Sequence, residues 1–373
     1  VDLDPHYAEA EEVLHVTPVD VERMGRNGQL VMEGAEALGL SHGPISRNAG
    51  ACVQCGSCPT GCRIDAKRAM HVSYLPRAVA AGARVRAGVD ARRVTFEGGR
   101  ATGLECTVGG RPFHARARRA VIVAAGAVGT PELLLRSEFR SGSGQLGRNL
   151  HVHPAAWIGS RVEEVRGWEG VMQSYYVDEW QEMGLLMEAT FTPLAFGAHW
   201  LPGTGREHLE RVLAYDRLGS NGVHLSDRSA GRVGLTADGS VRITYRLSRE
   251  EARKLVFGIA RAAEIFFAAG ATEVYSQVRS VPVLRPGMIA DFEASDPGPA
   301  ALRLEAFHPL GTARMDADPA RGVTGPDGAV HGAEALYVAD GSLMPSSIGV
   351  NPMMTIIAMA SRVSRQLAER LTG

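Results

Sequence analysis

The sequence is nearly devoid of lysine: of its 40 basic residues only Lys67 and Lys254 are not arginine. That skew fits GC-rich coding rather than a function. An excess of either charge is also missing. With 40 basic and 41 acidic residues the net charge is −1, which excludes a general nucleic-acid binder, since such a protein carries a basic surplus. No apolar run reaches the roughly 18 residues that a membrane-spanning helix needs. The start of the chain has no signal-peptide pattern, and a cytoplasmic or an exported location both remain open. Glycine is abundant at 44 residues but aperiodic, so the chain is not collagen-like. A length of 373 residues implies two domains or one large α/β domain.

There are five cysteines, and four of them are crowded together. Cys52, Cys55, Cys58 and Cys62 have the spacing C-x2-C-x2-C-x3-C, while Cys106 stands apart. Such crowding suits a metal or redox site better than a secreted disulfide framework. Three readings are open for loop 52–62: an iron–sulfur cluster held by thiolates, a tetrahedral zinc site, and reduced thiols or one disulfide in a turn. Arg63 follows the last cysteine where a ferredoxin-type run has proline, and there is no second run.

Residues 4–14 predict a helix with Asp4 as N-cap and Pro5 at its first position. Further helices are expected over 20–39, ended by Gly39, and over 66–82, kinked at Pro76. Strand character takes over in 83–123 around Gly98-Gly99. AVIVAA (120–125) predicts a buried strand, followed by Gly126, Gly129 and a helix with Thr130 as N-cap and Pro131 at N1. A strand, a small-residue turn and a helix N-terminus together favour an anion. Gly142, Gly144 and Gly147 satisfy G-x-G-x-x-G, but they follow a helix and precede a strand, the reverse of the dinucleotide fingerprint. Residues 151–305 alternate as an antiparallel sheet would, with a hairpin at Asp238-Gly239 that sets Val233 and Leu235 against Val241 and Ile243. Ser248 and Glu251 form a capping box for a helix ended by Gly270, whose stripe of Leu255, Val256, Ile259, Ala263 and Phe266 is a core face. Tyr175, Tyr176, Phe191 and Trp200 are candidates for either pocket or core.

In the C-terminal segment, residues 335–339 form a short apolar strand ending in Asp340-Gly341, the place where α/β sheets put ligands. Asn351-Pro352 then predicts the cap and first residue of a long helix reaching about residue 371. His308 lies on a His-Pro-Leu-Gly turn, and imidazole is the side chain that accepts a proton near neutrality without tuning. Taken alone, these are a loop histidine and a cap.

HPLGTARM and LYVADGSLMPSSIGVNPMMTIIAMASR resemble the C-terminal signature of the glucose–methanol–choline (GMC) flavoprotein oxidoreductases, closest to the cholesterol-oxidase-like branch. DLDPHYAEAEEVL, AKRAMHVSYLPRAVAAGARV, VIVAAGAVGTPELLLRS and LGRNLHVHP are similar to earlier family segments, whereas 156–230 is only weakly similar. The resemblance implies an α+β / α/β fold. Residues 1–150 and 306–373 would form a partial Rossmann-like FAD-binding domain, and 151–305 a substrate domain built on an antiparallel sheet. It implies FAD-dependent oxidation of an alcohol CH–OH, sterol or other hydrophobic alcohol included, by hydride transfer to flavin N5. His308 matches the catalytic base and Asn351 its partner. Gly126, Thr130, Asp340, Gly341, Pro352 and Met353 match cofactor-binding positions. Cys52, Cys58 and Cys62 resemble the ligand spacing of GMC dehydrogenases that carry a three-iron cluster, with Cys55 extra. A cluster would pass electrons to a cytochrome-type or quinone acceptor. The family's N-terminal βαβ unit for the FAD pyrophosphate has no counterpart here, so this chain by itself is expected to bind FAD weakly or not at all. The alternatives are an iron–sulfur electron-transfer module and an inactive fragment without flavin.

Overall fold

The computed structural model describes residues 2–163, 165–166 and 169–372. Its centre is an eight-stranded antiparallel sheet. The Pro154–Arg161 strand runs through the middle, hydrogen-bonded along one edge to Leu218–Leu225. Beyond that lie Leu185–Ala189, Tyr175–Val177 and His42–Pro44 in turn. Its other edge is shared by two short strands, Glu273–Tyr275 against its far end and Glu305–Ala306 against its start. The middle strands are buried along nearly their whole length, so they read as continuous apolar stretches in which a charged residue is an exception.

The Arg249–Ala268 helix covers this sheet, and the predicted capping box is present: Ser248 accepts from the Glu251 amide while Glu251 reaches back to the Ser248 amide. Leu255, Val256, Ile259, Ala263 and Phe266 are all buried, each side chain of that size contributing roughly 1.5–3 kcal/mol except the smaller Ala263. The Arg26–Leu38 helix lies against it so closely that a Cβ on Gly34 would stand 2.1 Å from the Ile265 carbonyl oxygen, so only glycine fits. Val19, Met24, Leu30, Val31 and Ala35, which the sequence division puts with 1–150, therefore share one apolar cluster with the sheet of 151–305.

A second body is built on the parallel pair Val121–Val123 and Leu336–Val338, the three-stranded meander Val89–Glu97, Arg100–Val108 and Arg111–Arg116, and two helices, Gly126–Arg136 and Met353–Thr372. Its own core includes Val121, Leu134, Leu336, Val338 and Val363. The Asp4–Leu14 helix is clipped to Met353–Thr372 by Tyr7 donating to Thr355 at 2.7 Å.

Several expected boundaries move. Leu3 caps the first helix, with Asp4 inside it. The 20–39 helix is a short 3-10 turn followed by Arg26–Leu38, and 66–82 contains only Tyr74–Ala80 as α-helix. Thr130 is not an N-cap, because the helix already starts at Gly126 and runs through Pro131. Proline has no amide to give the Ala127 carbonyl, and the Thr312 hydroxyl donates to that carbonyl instead, at 2.6 Å. Asn351 does not cap the last helix either. The Pro352 carbonyl accepts its first bond, from Ile356, and the helix begins at Met353. The hairpin register is as expected, with Val233 opposite Ile243 and Leu235 opposite Val241.

Candidate active site

Three histidines meet where the two bodies join. His308 follows the Glu305–Ala306 strand, His153 precedes Pro154–Arg161, and His224 lies on Leu218–Leu225 opposite Ala155. The ladder Ala155–Glu305 and Pro154–Ala306 brings His153 and His308 to the same end. Their Nδ1 atoms are 2.8 Å apart, so one of the two carries the shared proton. The ring centroids of His224 lie 5.2 Å from His153 and 5.9 Å from His308. Gly222, next but one along the strand, leaves room for the His224 ring, since a Cβ there would be 3.1 Å from Nε2.

His153 is held in a left-handed backbone conformation at φ 50°, a strained state that costs about 1–3 kcal/mol outside glycine and is found most at functional sites. Buried Asp227 holds it there, accepting from the His153 amide at 3.1 Å, the Val152 amide at 3.0 Å and the Tyr245 hydroxyl at 2.9 Å. Burial, with His224 and His308 as further causes, lowers the His153 pKa to about 3. Burial and the neighbouring His224 lower that of His308 to about 4. Burial also lowers His224, opposed by Glu188. All three rings are neutral at physiological pH, as a proton acceptor must be.

Asn351 approaches from the other side. Its Nδ2 donates to both carboxylate oxygens of Glu188, at 3.0 and 3.2 Å. Glu188 is only 4% exposed, and His224 Nε2 lies 3.6 Å from it. With both carboxylate oxygens accepting from Nδ2, the Asn351 amide is held one way round and its Oδ1 is left buried and without a partner. His308, Asn351, Glu188, Gln173, Arg47 and Met353 all line one cavity of about 620 Å³, together with Tyr176. Tyr175 and Phe191 are core residues, and Trp200 stacks under the Arg303 guanidinium.

The remaining expected cofactor residues form a second cluster. Asp340 closes the Leu336–Val338 strand, and both of its oxygens are fully engaged. Oδ2 accepts from the Gly126 amide and the Thr130 hydroxyl, and Oδ1 from the Ser342 amide and hydroxyl. The Asp340 side chain thus clasps two turns together. Gly341 accepts from the Gly311 amide, tying this turn to the loop that carries His308. Gly126 has φ 76° with open space where a Cβ would be, so a ligand can approach its backbone closely. Gly126 thus has open space beside its backbone and Met353 is exposed, whereas Gly341 is buried against Leu310 and Ile356, and Thr130 and Asp340 fix the turns. Pro352 is buried just ahead of the helix and accepts its first hydrogen bond.

The three readings of loop 52–62 can be set beside its geometry, which is that of four unbridged thiols. Among the described residues, the metal-competent side chains whose donor atoms lie within 4.8 Å of one another are His153, His224 and His308, not Cys52, Cys55, Cys58 and Cys62. Cys52 Sγ accepts from the Gln54 amide and Cys62 Sγ from the Lys67 amide, each turned into its own stretch of loop. The spacing is a local property, and the loop fold does not converge it into a ligand set.

Sequence reasoning missed His153, His224 and Glu188. Glu188 had a usable signal, a lone acid in the apolar run LLMEATF, where burial without a partner is costly. His153 had only the pair His151 and His153 ahead of Pro154.

Comparison with known proteins bears on the family and the fold. Residues 1–155 match the N-terminal GMC oxidoreductase profile and residues 227–360 the C-terminal one. An uncharacterised GMC-type oxidoreductase of Mycobacterium tuberculosis is 37% identical over 98% of this chain, which spans 58% of that protein. A long-chain-alcohol oxidase of Arabidopsis thaliana is 30% identical over 90% of the chain and 49% of its own length. The fold is shared with pyridoxine 4-oxidase from Mesorbium loti, with a TM-score of 0.66 at 17% identity over 94% of this chain and 71% of that one. An FAD-dependent oxidoreductase from Chaetomium thermophilum gives 0.64 at 14% identity, covering 99% of this chain and 80% of that one. The chain thus spans about half to four-fifths of the proteins it matches, and on its two matched regions it belongs to the GMC oxidoreductases.

Proposed function

We propose that this chain supplies the substrate cavity and the proton-handling residues of an FAD-dependent oxidoreductase that oxidises an alcohol CH–OH, with His308 as the base. Bound FAD would supply the hydride acceptor for the carbinol carbon. Gly126 and Met353 would hold it, with Gly341 fixing the turn behind them and the N-terminus of the Met353–Thr372 helix favouring negative charge.

The protein's own groups do the rest. For His308 to accept the hydroxyl proton at Nε2, its Nδ1 must carry hydrogen and donate to His153 Nδ1. Burial keeps His153 neutral and able to accept. Asn351, locked by Glu188, keeps Oδ1 free to accept from a second donor in the cavity, since the single proton of the reacting hydroxyl goes to His308. The observation that carries this reading is the convergence of a neutral, partnered His308 and an oriented Asn351 on one cavity.

The test is alcohol-dependent dye reduction by the full-length enzyme under argon. His308→Ala should lower kcat by about 10²–10⁴-fold, the usual worth of a positioned base. Unchanged turnover would sink the assignment. Repeating the assay in air, with oxygen as sole acceptor, separates an oxidase from a dehydrogenase serving a cytochrome or quinone.

A further inference from the structure

His308 also faces a second, smaller cavity of about 160 Å³, whose walls include Trp157, Met172, Thr190, Glu305 and Phe307. An apolar cavity of nearly this size holds a benzene ring, so it has room for on the order of six non-hydrogen atoms. Three polar atoms among its lining side chains have no partner: the buried Oε1 of Glu305, the buried Nε1 of Trp157 and the buried Nδ1 of His224, of which the first two carry the argument. The nearest cation by sequence, Arg303, stacks on Trp200 at 4.5 Å and forms no ion pair with Glu305 among the described residues. Burial pushes the Glu305 carboxyl up to about 7, opposed by Arg303. None of the steps above uses this group.

A buried carboxyl oxygen without a donor costs about 1–3 kcal/mol, and so does a buried indole N–H without an acceptor. A hydroxyl group can satisfy both, donating to one and accepting from the other. An alkyl end satisfies neither, and an ammonium satisfies only the carboxyl. Resting on the alcohol-oxidation reading, we propose that this cavity receives the far end of the substrate, and that Glu305 with Trp157 selects alcohols whose far end carries a second hydroxyl. Glu305 lies three residues before His308, so the strand that positions the base also carries the group that recognises the tail.

The experiment compares kcat/KM of the full-length enzyme for 1-hexanol, 1,6-hexanediol and 6-amino-1-hexanol. The diol should exceed 1-hexanol by about tenfold or more, the worth of one restored hydrogen bond. Glu305→Leu should reduce that ratio to within about twofold, and Glu305→Gln, which keeps both a donor and an acceptor, should retain most of it. Flavin content of both variants reports that they are folded. A diol no better than 1-hexanol in the unaltered enzyme, or a ratio that survives Glu305→Leu, overturns the inference. A preference for the amino alcohol over the diol overturns the hydroxyl assignment. If His308-dependent oxidation is present without any tail preference, this inference fails alone. If no alcohol is oxidised, the alcohol-oxidation reading fails and takes it along.

Discussion

Asp340→Asn is the substitution that best tests how the cofactor-side turns are held. The change is nearly isosteric and replaces one acceptor oxygen by an NH₂ group. Four donors point at the carboxylate: the Gly126 amide, the Thr130 hydroxyl, and the Ser342 amide and hydroxyl. Asn can serve two of them with its remaining oxygen. The hydroxyl of the other pair can rotate to accept, but the backbone amide cannot, so one amide is stranded facing another donor. Ser342 is fully buried and Gly126 is not, which makes Gly126 the amide given up. Losing one charge-assisted amide bond and weakening a second costs about 2–4 kcal/mol. For a chain of this size that lowers Tm by about 5 °C. Thermal melts of the full-length protein and the variant give the shift directly. A cycle with Thr130→Val should show coupling of about 1 kcal/mol or more, since the two side chains share a bond. A variant melting within about 1 °C of the parent, or additive effects in the cycle, would refute the clasp.

Two further outcomes concern the histidines. His153 is neutral in the fold with its pKa depressed to about 3, whereas an unfolded histidine takes a proton below about 6.5. Its contribution to stability is therefore complete above pH 6.5 and is lost as pH falls through the window from 6.5 toward 3, amounting to about 2 kcal/mol by pH 5. Melts at pH 7 and pH 5 should show a larger drop for the unaltered protein than for His153→Asn, and equal drops would count against a buried neutral ring. In activity, His153→Asn keeps an acceptor near the Nδ1 position and should retain much more kcat than His153→Leu, with KM little changed in either. The acidic limb of the kcat/KM profile should also lie well below pH 6.5. A limb at 6.5 would mean that His308 is not held neutral by its burial, and equal kcat in the two variants that His153 does not set its tautomer.

What could be read from the sequence was what neighbouring residues decide among themselves. The Ser248–Glu251 box closes over three residues, and the Val233–Ile243 hairpin register follows from one short loop. What could not be read depends on partners far along the chain. Pro131 looks like a helix start because its missing amide usually ends or begins a helix. Here Thr312, from a distant loop, satisfies the freed carbonyl, so the helix passes through it. Asn351 followed by proline looks like a cap, yet Glu188 takes its amide. The cysteine spacing is a strong local pattern, but spacing does not fix where four sulfur atoms end up. His308 and Asn351 were found through family resemblance. Of the partners that hold them, Glu188 lies in no motif, and His153 lies inside the family-like segment LGRNLHVHP with nothing local to single it out.

The pairing around His308 has one more consequence. Pro154 pairs with Ala306, and His151 with Leu310. Between these two ladder pairs lie Val152 and His153 on one chain, but Phe307, His308 and Pro309 on the other. The His308 side therefore carries one residue more than a regular ladder allows, which is a β-bulge, and the left-handed turn at His153 is its counterpart across the gap. Because side chains alternate faces, a chain one residue shorter between Ala306 and Leu310 would restore regular pairing and turn His308 away from His153. His308 is thus aimed at His153 by a counting mismatch between two strands rather than by any residue of its own turn.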